Sequence, residues 1–140
     1  MIYVSSKLRH RDLWLSSPLP ISASWIYGTE LPPEECSGMW DRYRDDVESS
    51  QALLLYLEEG DVLKGAILEM GIAFGVNIPI VIVWNGTMAD LAGIVGTIVY
   101  HQSVTVFSTM DEAELSLLSI IDNSVYPFAA SSFDNPKNVS

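Results

Sequence analysis

Runs of apolar residues alternate along this chain with segments that have helical spacing. The runs 2–5, 21–26, 52–57, 78–84 and 104–107 are bounded by small, polar or proline residues and predict five short strands. The runs 52–57 and 78–84 are apolar at nearly every position, which is typical of parallel strands covered on both faces.

Helical patterns fill the gaps between the predicted strands. A compact helical turn is expected between the first two strands. A helix of about 17 residues then begins near residues 32–33, with an apolar stripe that includes Met39, Trp40, Tyr43 and Val47. Three further helices are predicted over 62–74, 88–99 and 110–121.

The regular alternation of strand and helix predicts the fold class. It favours a doubly wound, Rossmann-like or flavodoxin-like α/β domain with five parallel strands in the order 2-1-3-4-5. We expect one domain over 1–128 and a loose tail over 129–140, which is rich in Ser, Asn and Pro. The ligand crevice of such a sheet lies at the carboxyl ends of the strands, near the point where strand order reverses. Residues 5–7, 25–28, 58–65 and 84–86 are therefore expected there.

Charge and composition limit the possible functions. The chain has 140 residues, 49% of them hydrophobic, and a net charge of −11, which argues against binding to a long nucleic acid. No apolar run reaches the roughly 20 residues of a membrane span, and no signal peptide pattern opens the chain, so a cytoplasmic protein is expected. The few basic residues, including Lys7, Arg9, Arg11 and Lys64, either form a local positive pocket for a phosphate or are solvated surface charges.

Several well-known catalytic and cofactor patterns are missing from the sequence. It contains neither a glycine-rich dinucleotide fingerprint, nor a P-loop, nor the nucleophile elbow of serine hydrolases. The single Cys36 excludes an intramolecular disulfide and predicts no zinc site. His10, in a basic surface loop, and His101, after a helix, are both expected to be non-catalytic.

One acid is isolated in an apolar setting. Between residues 62 and 84 the only carboxylate is Glu69, and Gly65 and Ala73 share its helix face. A buried carboxylate without a partner is costly, so such an acid is usually paired or catalytic. Two interpretations stay open: Glu69 is a nucleophile that attacks an acetal-like carbon, or it forms a salt bridge with Lys64 or an arginine.

Four segments resemble one enzyme family. Residues 2–6, 46–56, 65–73 and 78–80 are similar to the nucleoside 2-deoxyribosyltransferases and their relatives, the 2′-deoxynucleoside 5′-monophosphate N-glycosidases. The most specific of these is the third segment, which has a glycine four residues before Glu69 and another two residues after it.

The resemblance implies a retaining reaction without metal or cofactor. Glu69 would attack C1′ of the deoxyribose, and water or another base would resolve the resulting ester. Asp46, or its neighbour Asp45, would match the acid that orients the sugar or base. Tyr56, Trp25 and Trp84 would stack on the base or belong to the core. Together with the position of the crevice, the resemblance gives a substrate-binding set of Tyr3, Ser5, Ser6, Lys7, Trp25, Asp45, Tyr56, Gly65 and Asn85.

The chain also departs from the family pattern. Gln51 and Leu63 stand where members often have aspartates, Asp61 lies nearby, and residues 5–9 replace a glycine-rich loop. Two alternatives to an enzyme therefore remain open. In one, the crevice only binds a nucleotide or nucleotide-derived signal, with Glu69 on the ribose hydroxyls. In the other, apolar helix faces bury against copies of the chain; a homo-oligomer is also compatible with the enzyme.

Overall fold

The computed structural model describes residues 1–28 and 31–125, and its centre is a parallel sheet. The four strands that it describes are β1 (Ile2–Ser5), β2 (Ala52–Tyr56), β3 (Ile80–Val83) and β4 (Val104–Phe107), in the order β1-β2-β3-β4. Ser5 pairs with Leu55, so β1 and β2 end at the same edge of the sheet. All of the side chains of β1 and β3 are buried, as expected for strands covered on both faces.

Five α-helices surround the sheet within the described residues. They are α1 (Arg11–Leu15), α2 (Cys36–Glu48), α3 (Gly65–Gly75), α4 (Met88–Val95) and α5 (Met110–Val125). Because parallel crossovers are right-handed, the connections through α2, α3 and α4 place these helices on one face of the sheet. The other face carries α1 and α5, where Ser17 after α1 donates to Glu114 of α5 at 3.2 Å.

The predicted α/β class with parallel strands is confirmed, but the predicted fifth strand over 21–26 is not formed. Only Ile21 makes an isolated parallel bridge, to Ile2, and Ser24–Tyr27 is a 3₁₀ turn. Ser24 is instead tied to a distant residue, because the Asp46 carboxylate accepts hydrogen bonds from the Ser24 backbone N–H at 3.1 Å and from its hydroxyl at 2.7 Å. The order 2-1-3-4-5 is not shown: the described sheet has the four strands β1 to β4, and of the run 21–26 only Ile21 bridges β1, on the side away from β2.

The predicted helices exist with shifted ends. The helix expected near residues 32–33 begins with a 3₁₀ turn at Pro33–Glu35, and its α-helical part is 13 residues long. The helix expected over 88–99 stops at Val95, because Gly96 has a φ of 101°, which L side chains rarely adopt. The predicted domain end at 128 and the tail over 129–140 lie outside the described residues. No helix in the described part of the chain is both long and apolar enough to cross a membrane.

Candidate functional site

A cavity of about 220 Å³ opens between α2 and α3 at the carboxyl ends of β1 and β2. The connection after β1 leads to the bridge at Ile21, on one side of β1, whereas the next connection leads to β2, on the other side. The cavity therefore lies where the direction of the connections reverses, as predicted for this kind of sheet. The residues that line it are Ser6, Lys7, Leu8, Trp25, Trp40, Tyr43, Leu63, Lys64, Gly65, Ala66 and Glu69.

Glu69 lies at the buried end of this cavity, with only 7% of its surface exposed. The Tyr3 hydroxyl donates a hydrogen bond to Oε2, and the Ser5 hydroxyl donates to Oε1 at 2.7 Å. Tyr3 and Ser5 are alternate residues of β1, so their side chains leave the same face of the strand. Within the described residues Glu69 forms no ion pair, so the interpretation as a salt bridge to Lys64 or an arginine is wrong.

Burial and hydrogen bonding act on the Glu69 carboxyl in opposite directions. Burial raises its pKa above the ordinary value, and the hydrogen bonds from Tyr3 and Ser5 partly offset that rise. The pKa of Tyr3 is also raised, first by burial and then by the negative charge of Glu69, so its hydroxyl stays protonated and remains a donor. Each carboxylate oxygen has two lone pairs, and one hydroxyl donor leaves the other free for a ligand.

Three aromatic side chains form the apolar walls. The indole N–H of Trp25 donates to the backbone carbonyl of Val4 at 2.7 Å, which fixes its ring beside β1. The rings of Trp40 and Tyr43 meet edge to face with centroids 5.3 Å apart. A Cβ on Gly65 would lie 3.3 Å from Cη2 of Trp40, so the glycine permits the close approach of Trp40 to α3. Such walls suit a flat ring.

Positive charge borders the cavity at Lys7 and Lys64. Neither lysine forms an ion pair with any residue described in the structure. The first residues of α3, Gly65 and Ala66, also line the cavity, and no side chain caps this helix end. Free backbone N–H groups at a helix start and unpaired ammonium groups both favour an anion.

Most of the residues predicted to lie around Glu69 are brought together. Tyr3 and Ser5 contact Glu69 directly, and Ser6, Lys7, Trp25 and Gly65 line the cavity. Ser6 is itself held in place, because its hydroxyl accepts a hydrogen bond from the indole N–H of Trp14 at 2.9 Å.

The two predicted aspartates lie elsewhere. Asp46 holds Ser24 as described above and is not among the residues that line the cavity. Asp45 is exposed and lies 3.8 Å from Arg44. The prediction that either acid orients the substrate stays a prediction, and the geometry gives it no direct contact with the cavity.

Three other predicted residues also lie away from the cavity. Tyr56 donates to Glu58 at 2.5 Å, and its ring packs edge to face against His10. Trp84 is buried in the core and donates to the carbonyl of Thr87 at 2.9 Å. Asn85, which follows β3, is exposed.

Sequence reasoning missed several lining residues and one buried histidine. Leu8, Trp40 and Tyr43 were not expected to line the site, although Trp40 and Tyr43, three residues apart on one helix face, were visible as an apolar stripe. Leu63 and Lys64 lie in the segment 58–65 that was expected at the crevice. His10 was expected in a surface loop, but it is 7% exposed because it packs beside Asp61 and Tyr56.

The described residues contain no group of three or more His, Cys, Asp or Glu side chains arranged to hold a metal ion. Comparison with protein-family models, with curated proteins and with solved structures gives no match for this chain. The resemblance to the deoxyribosyltransferases therefore depends on the sequence segments alone.

Proposed function

We propose that the protein cleaves or exchanges the N-glycosidic bond of a 2′-deoxynucleoside or its 5′-monophosphate, with Glu69 as the nucleophile. The observation that carries this proposal is the state of Glu69: a buried carboxylate in a cavity, with both oxygens held by hydroxyl groups and no ion-pair partner among the residues that the structure describes. A structural acid in a core is normally neutralised by a positive partner. An acid held only by neutral donors keeps its negative charge available for a reacting carbon.

The proposed reaction has two displacement steps at one carbon. An oxygen of Glu69 attacks C1′ of the deoxyribose, the C1′–N bond breaks, and its electron pair leaves with the base, which takes a proton from solvent water. Water or the N–H nitrogen of a second base then attacks C1′, returns a proton to the solvent and releases the Glu69 carboxylate. Tyr3 and Ser5 hold the attacking carboxylate in one orientation through both steps.

The walls and the entrance support a nucleoside that carries a phosphate. Trp25, Trp40 and Tyr43 provide flat surfaces for the base. Lys7 and Lys64, together with the uncapped start of α3, provide positive charge for a 5′-phosphate. In a chain of net charge −11, two unpaired lysines at one cavity favour an anionic substrate over a neutral nucleoside.

The test is base release from a panel of deoxynucleosides and their 5′-monophosphates, followed by chromatography with and without a free acceptor base. We expect release or exchange by the wild type, its loss in Glu69→Gln, and its retention in Glu48→Gln, an exposed glutamate on α2. Exchange that requires the acceptor would identify a transferase, whereas release in water would identify a hydrolase. Equal activity of wild type and Glu69→Gln would contradict the assignment.

A nucleotide-binding module is the second candidate, and the free lone pairs of Glu69 favour it. They can accept hydrogen bonds from sugar hydroxyls without any attack on C1′. This candidate predicts that wild type and Glu69→Gln bind a deoxynucleoside 5′-monophosphate with similar affinity in calorimetry, and that neither protein releases the base.

We also propose a cytoplasmic homo-oligomer. Its support is the apolar surface of α3, where Ile67, Leu68 and Phe74 are 42%, 59% and 42% exposed. Exposed apolar side chains at this density on one helix are unusual for a monomer. Light scattering on the purified protein decides between monomer and oligomer, and Leu68→Glu is expected to shift an oligomer towards the monomer.

A further inference from the structure

A second cluster of charged residues lies behind the cavity, around Asp61. The side chain of Asp61 is only 1% exposed. Its Oδ1 accepts a hydrogen bond from Nη2 of Arg9 at 2.6 Å, and its Oδ2 accepts from the backbone N–H of Glu58 at 2.9 Å. The ring Nε2 of His10 lies 3.0 Å from the same Oδ2. All of the contacts at this carboxylate are therefore hydrogen bonds to groups that stabilise its negative charge.

The partners of Asp61 come from two different loops. Arg9 and His10 follow β1, whereas Glu58 and Asp61 follow β2, and Asp61 is 51 residues after His10 and 52 after Arg9. Because β1 and β2 are paired and end at the same edge, the two loops run side by side. The hydrogen bonds from Arg9 and His10 to the Asp61 carboxylate connect the two loops.

The same two loops carry the walls of the cavity. Ser6 and Lys7 lie just before Arg9, and Lys64 lies three residues after Asp61. The backbone N–H of His10 also donates to the carbonyl of Lys7 at 3.0 Å, so the position of His10 is transmitted directly to that lysine. Arg9, His10 and Asp61 are themselves absent from the residues that line the cavity.

The second loop is rigid in its own right. The N–H of Asp61 donates to the carbonyl of Glu58 at 3.0 Å, which closes a turn in which Gly60 has a φ of 89°. Glu58 accepts from the Tyr56 hydroxyl at 2.5 Å and lies 3.5 Å from Arg9. A shift of Asp61 would therefore move the turn as a unit and Lys64 with it.

We propose that Asp61 is a positioning residue that fixes the spacing of Lys7 and Lys64 across the mouth of the cavity. It touches no ligand and acts through Arg9 and His10 on one side and through its own turn on the other. The proposal deepens the proposed function, on which it rests for its catalytic consequence. The coupling of the two loops is a property of the free protein and is measurable without any substrate.

The first experiment measures amide hydrogen exchange in the wild type and in four variants. Asp61→Asn keeps the shape of the side chain but places an amide N–H group where a carboxylate oxygen accepted a hydrogen bond. Arg9→Met keeps the aliphatic part of the Arg9 side chain and removes its guanidinium. Asp41→Asn, which loses an exposed ion pair with Arg44 at 3.5 Å, is the matched control. We expect exchange in both 6–11 and 58–65 to become about tenfold faster in Asp61→Asn and Arg9→Met, since each loses a charge-assisted hydrogen bond.

In Asp61→Asn and Arg9→Met, exchange in α5 is expected to stay at the wild-type rate. In the control Asp41→Asn, exchange is expected to stay at the wild-type rate in every segment. Acceleration in only one of the two loops, no acceleration in either, or equal acceleration across the whole domain would overturn the coupling. Arg9→Lys restores a cation next to Asp61 and is expected to recover part of the protection, which a role in overall stability alone would not produce.

The second experiment separates binding from chemistry. For a deoxynucleoside 5′-monophosphate, Asp61→Asn is expected to raise KM about tenfold while kcat changes less than threefold, because the lysines are displaced and Glu69 is not. For the deoxynucleoside without phosphate, KM is expected to stay within threefold of the wild type. A fall in kcat with unchanged KM would contradict the positioning role.

The two proposals fail in distinguishable ways. A wild type that releases no base, but shows the exchange pattern in both loops, would refute the proposed function and leave the coupling by Asp61 intact. Base release by the wild type with unchanged exchange in Asp61→Asn would refute the coupling and leave the enzyme intact.

Discussion

Two buried carboxylates in this chain, Glu69 and Asp61, have the same exposure and opposite surroundings. Each residue is 7% exposed. Glu69 has only the neutral hydroxyls of Tyr3 and Ser5, and burial raises its pKa. Although burial also acts to raise the pKa of Asp61, the Glu58 backbone N–H, Arg9 and His10 together hold it below the ordinary value.

The difference shows how a fold can use one kind of residue for two purposes. A carboxylate that is hydrogen-bonded to an arginine, a histidine and a backbone N–H holds loops together, and its charge is less available to a ligand. A carboxylate held by hydroxyls is fixed in position while its charge stays available for chemistry. The two acids also give opposite pH dependences of stability, so the comparison can be tested on the folded protein alone.

The largest expected effect is that of Glu69→Gln on turnover. The amide cannot attack C1′, so kcat is expected to fall by about a thousandfold or more. At neutral pH the same substitution is expected to raise the free energy of unfolding, because it removes the cost of burying an ionised carboxylate. Base release and urea unfolding measure the two effects. If Glu69→Gln were inactive and also less stable than the wild type, Glu69 would be a stabilising residue like Asp61, which would contradict the comparison.

The next effect in size is the loss of stability in Asp61→Asn. We expect a loss of about 2 kcal/mol at neutral pH, because Arg9 and the Glu58 N–H lose a charged acceptor. Since the pKa of Asp61 is lowered on folding, its contribution is present above the ordinary value of 3.8 and disappears as the pH falls through the folded pKa. The difference between wild type and variant in urea unfolding should therefore shrink towards acid pH.

The corresponding pH dependence for Glu69 has the opposite sign. Its pKa is raised on folding, so the free energy of unfolding is highest when Glu69 is protonated and falls as the pH rises from 4.5 towards the folded pKa. In Glu69→Gln this decrease is expected to be absent. Parallel pH slopes for Glu69→Gln and Asp61→Asn, each measured against the wild type, would contradict the comparison.

A smaller effect is expected from removing one hydroxyl partner of Glu69. Tyr3→Phe and Ser5→Ala each remove a hydrogen bond that lowers the Glu69 pKa, so the acid limb of the pH profile of kcat/KM should move to higher pH. We expect about a tenfold loss of kcat near neutral pH from either change. Ser16→Ala, on an exposed serine, is the control, and its profile should overlay that of the wild type.

The smallest effect is expected from Asp46→Asn. The amide oxygen can still accept a hydrogen bond from Ser24, and the side chain does not line the cavity, so kcat/KM should change by less than about threefold. A loss near a hundredfold in steady-state kinetics would instead show that Asp46 reaches the substrate, as the family resemblance implies. Asp46 would then be a third carboxylate with a role in the reaction, and it is only partly buried.

The sequence predicted the site best where one residue contradicted its local pattern. Glu69 is a lone acid in an apolar helical segment, and strand ends predicted that Ser6 and Lys7 would lie near it. The sheet class followed from the apolar runs of β2 and β3. In each case the signal is local, because the spacing of apolar residues, and a polar residue that interrupts it, are visible within a short stretch of sequence.

The remaining features depend on contacts between distant segments. The run at 21–26 has the composition of a strand, yet the side chain of Asp46 changes the backbone at Ser24. In the sequence, Trp40 is only one residue of an apolar stripe. Its position in the cavity wall depends on the packing of α2 on α3, where Trp40 approaches Gly65, and the sequence does not show this packing. The tie between Asp61 and Arg9 forms only once β1 and β2 are paired, and no spacing in the sequence encodes it.

The two hydrogen bonds to Glu69 reach 66 and 64 residues back along the chain, to β1. Such distant partners meet slowly during folding, because the entropy cost of closing a long loop comes before any stabilisation from their contact. A chain that has formed α3 but not yet paired β1 with β2 therefore holds its acid without donors. The arrangement around Glu69 is therefore complete only when β1 has joined the sheet, and a partly folded chain lacks it.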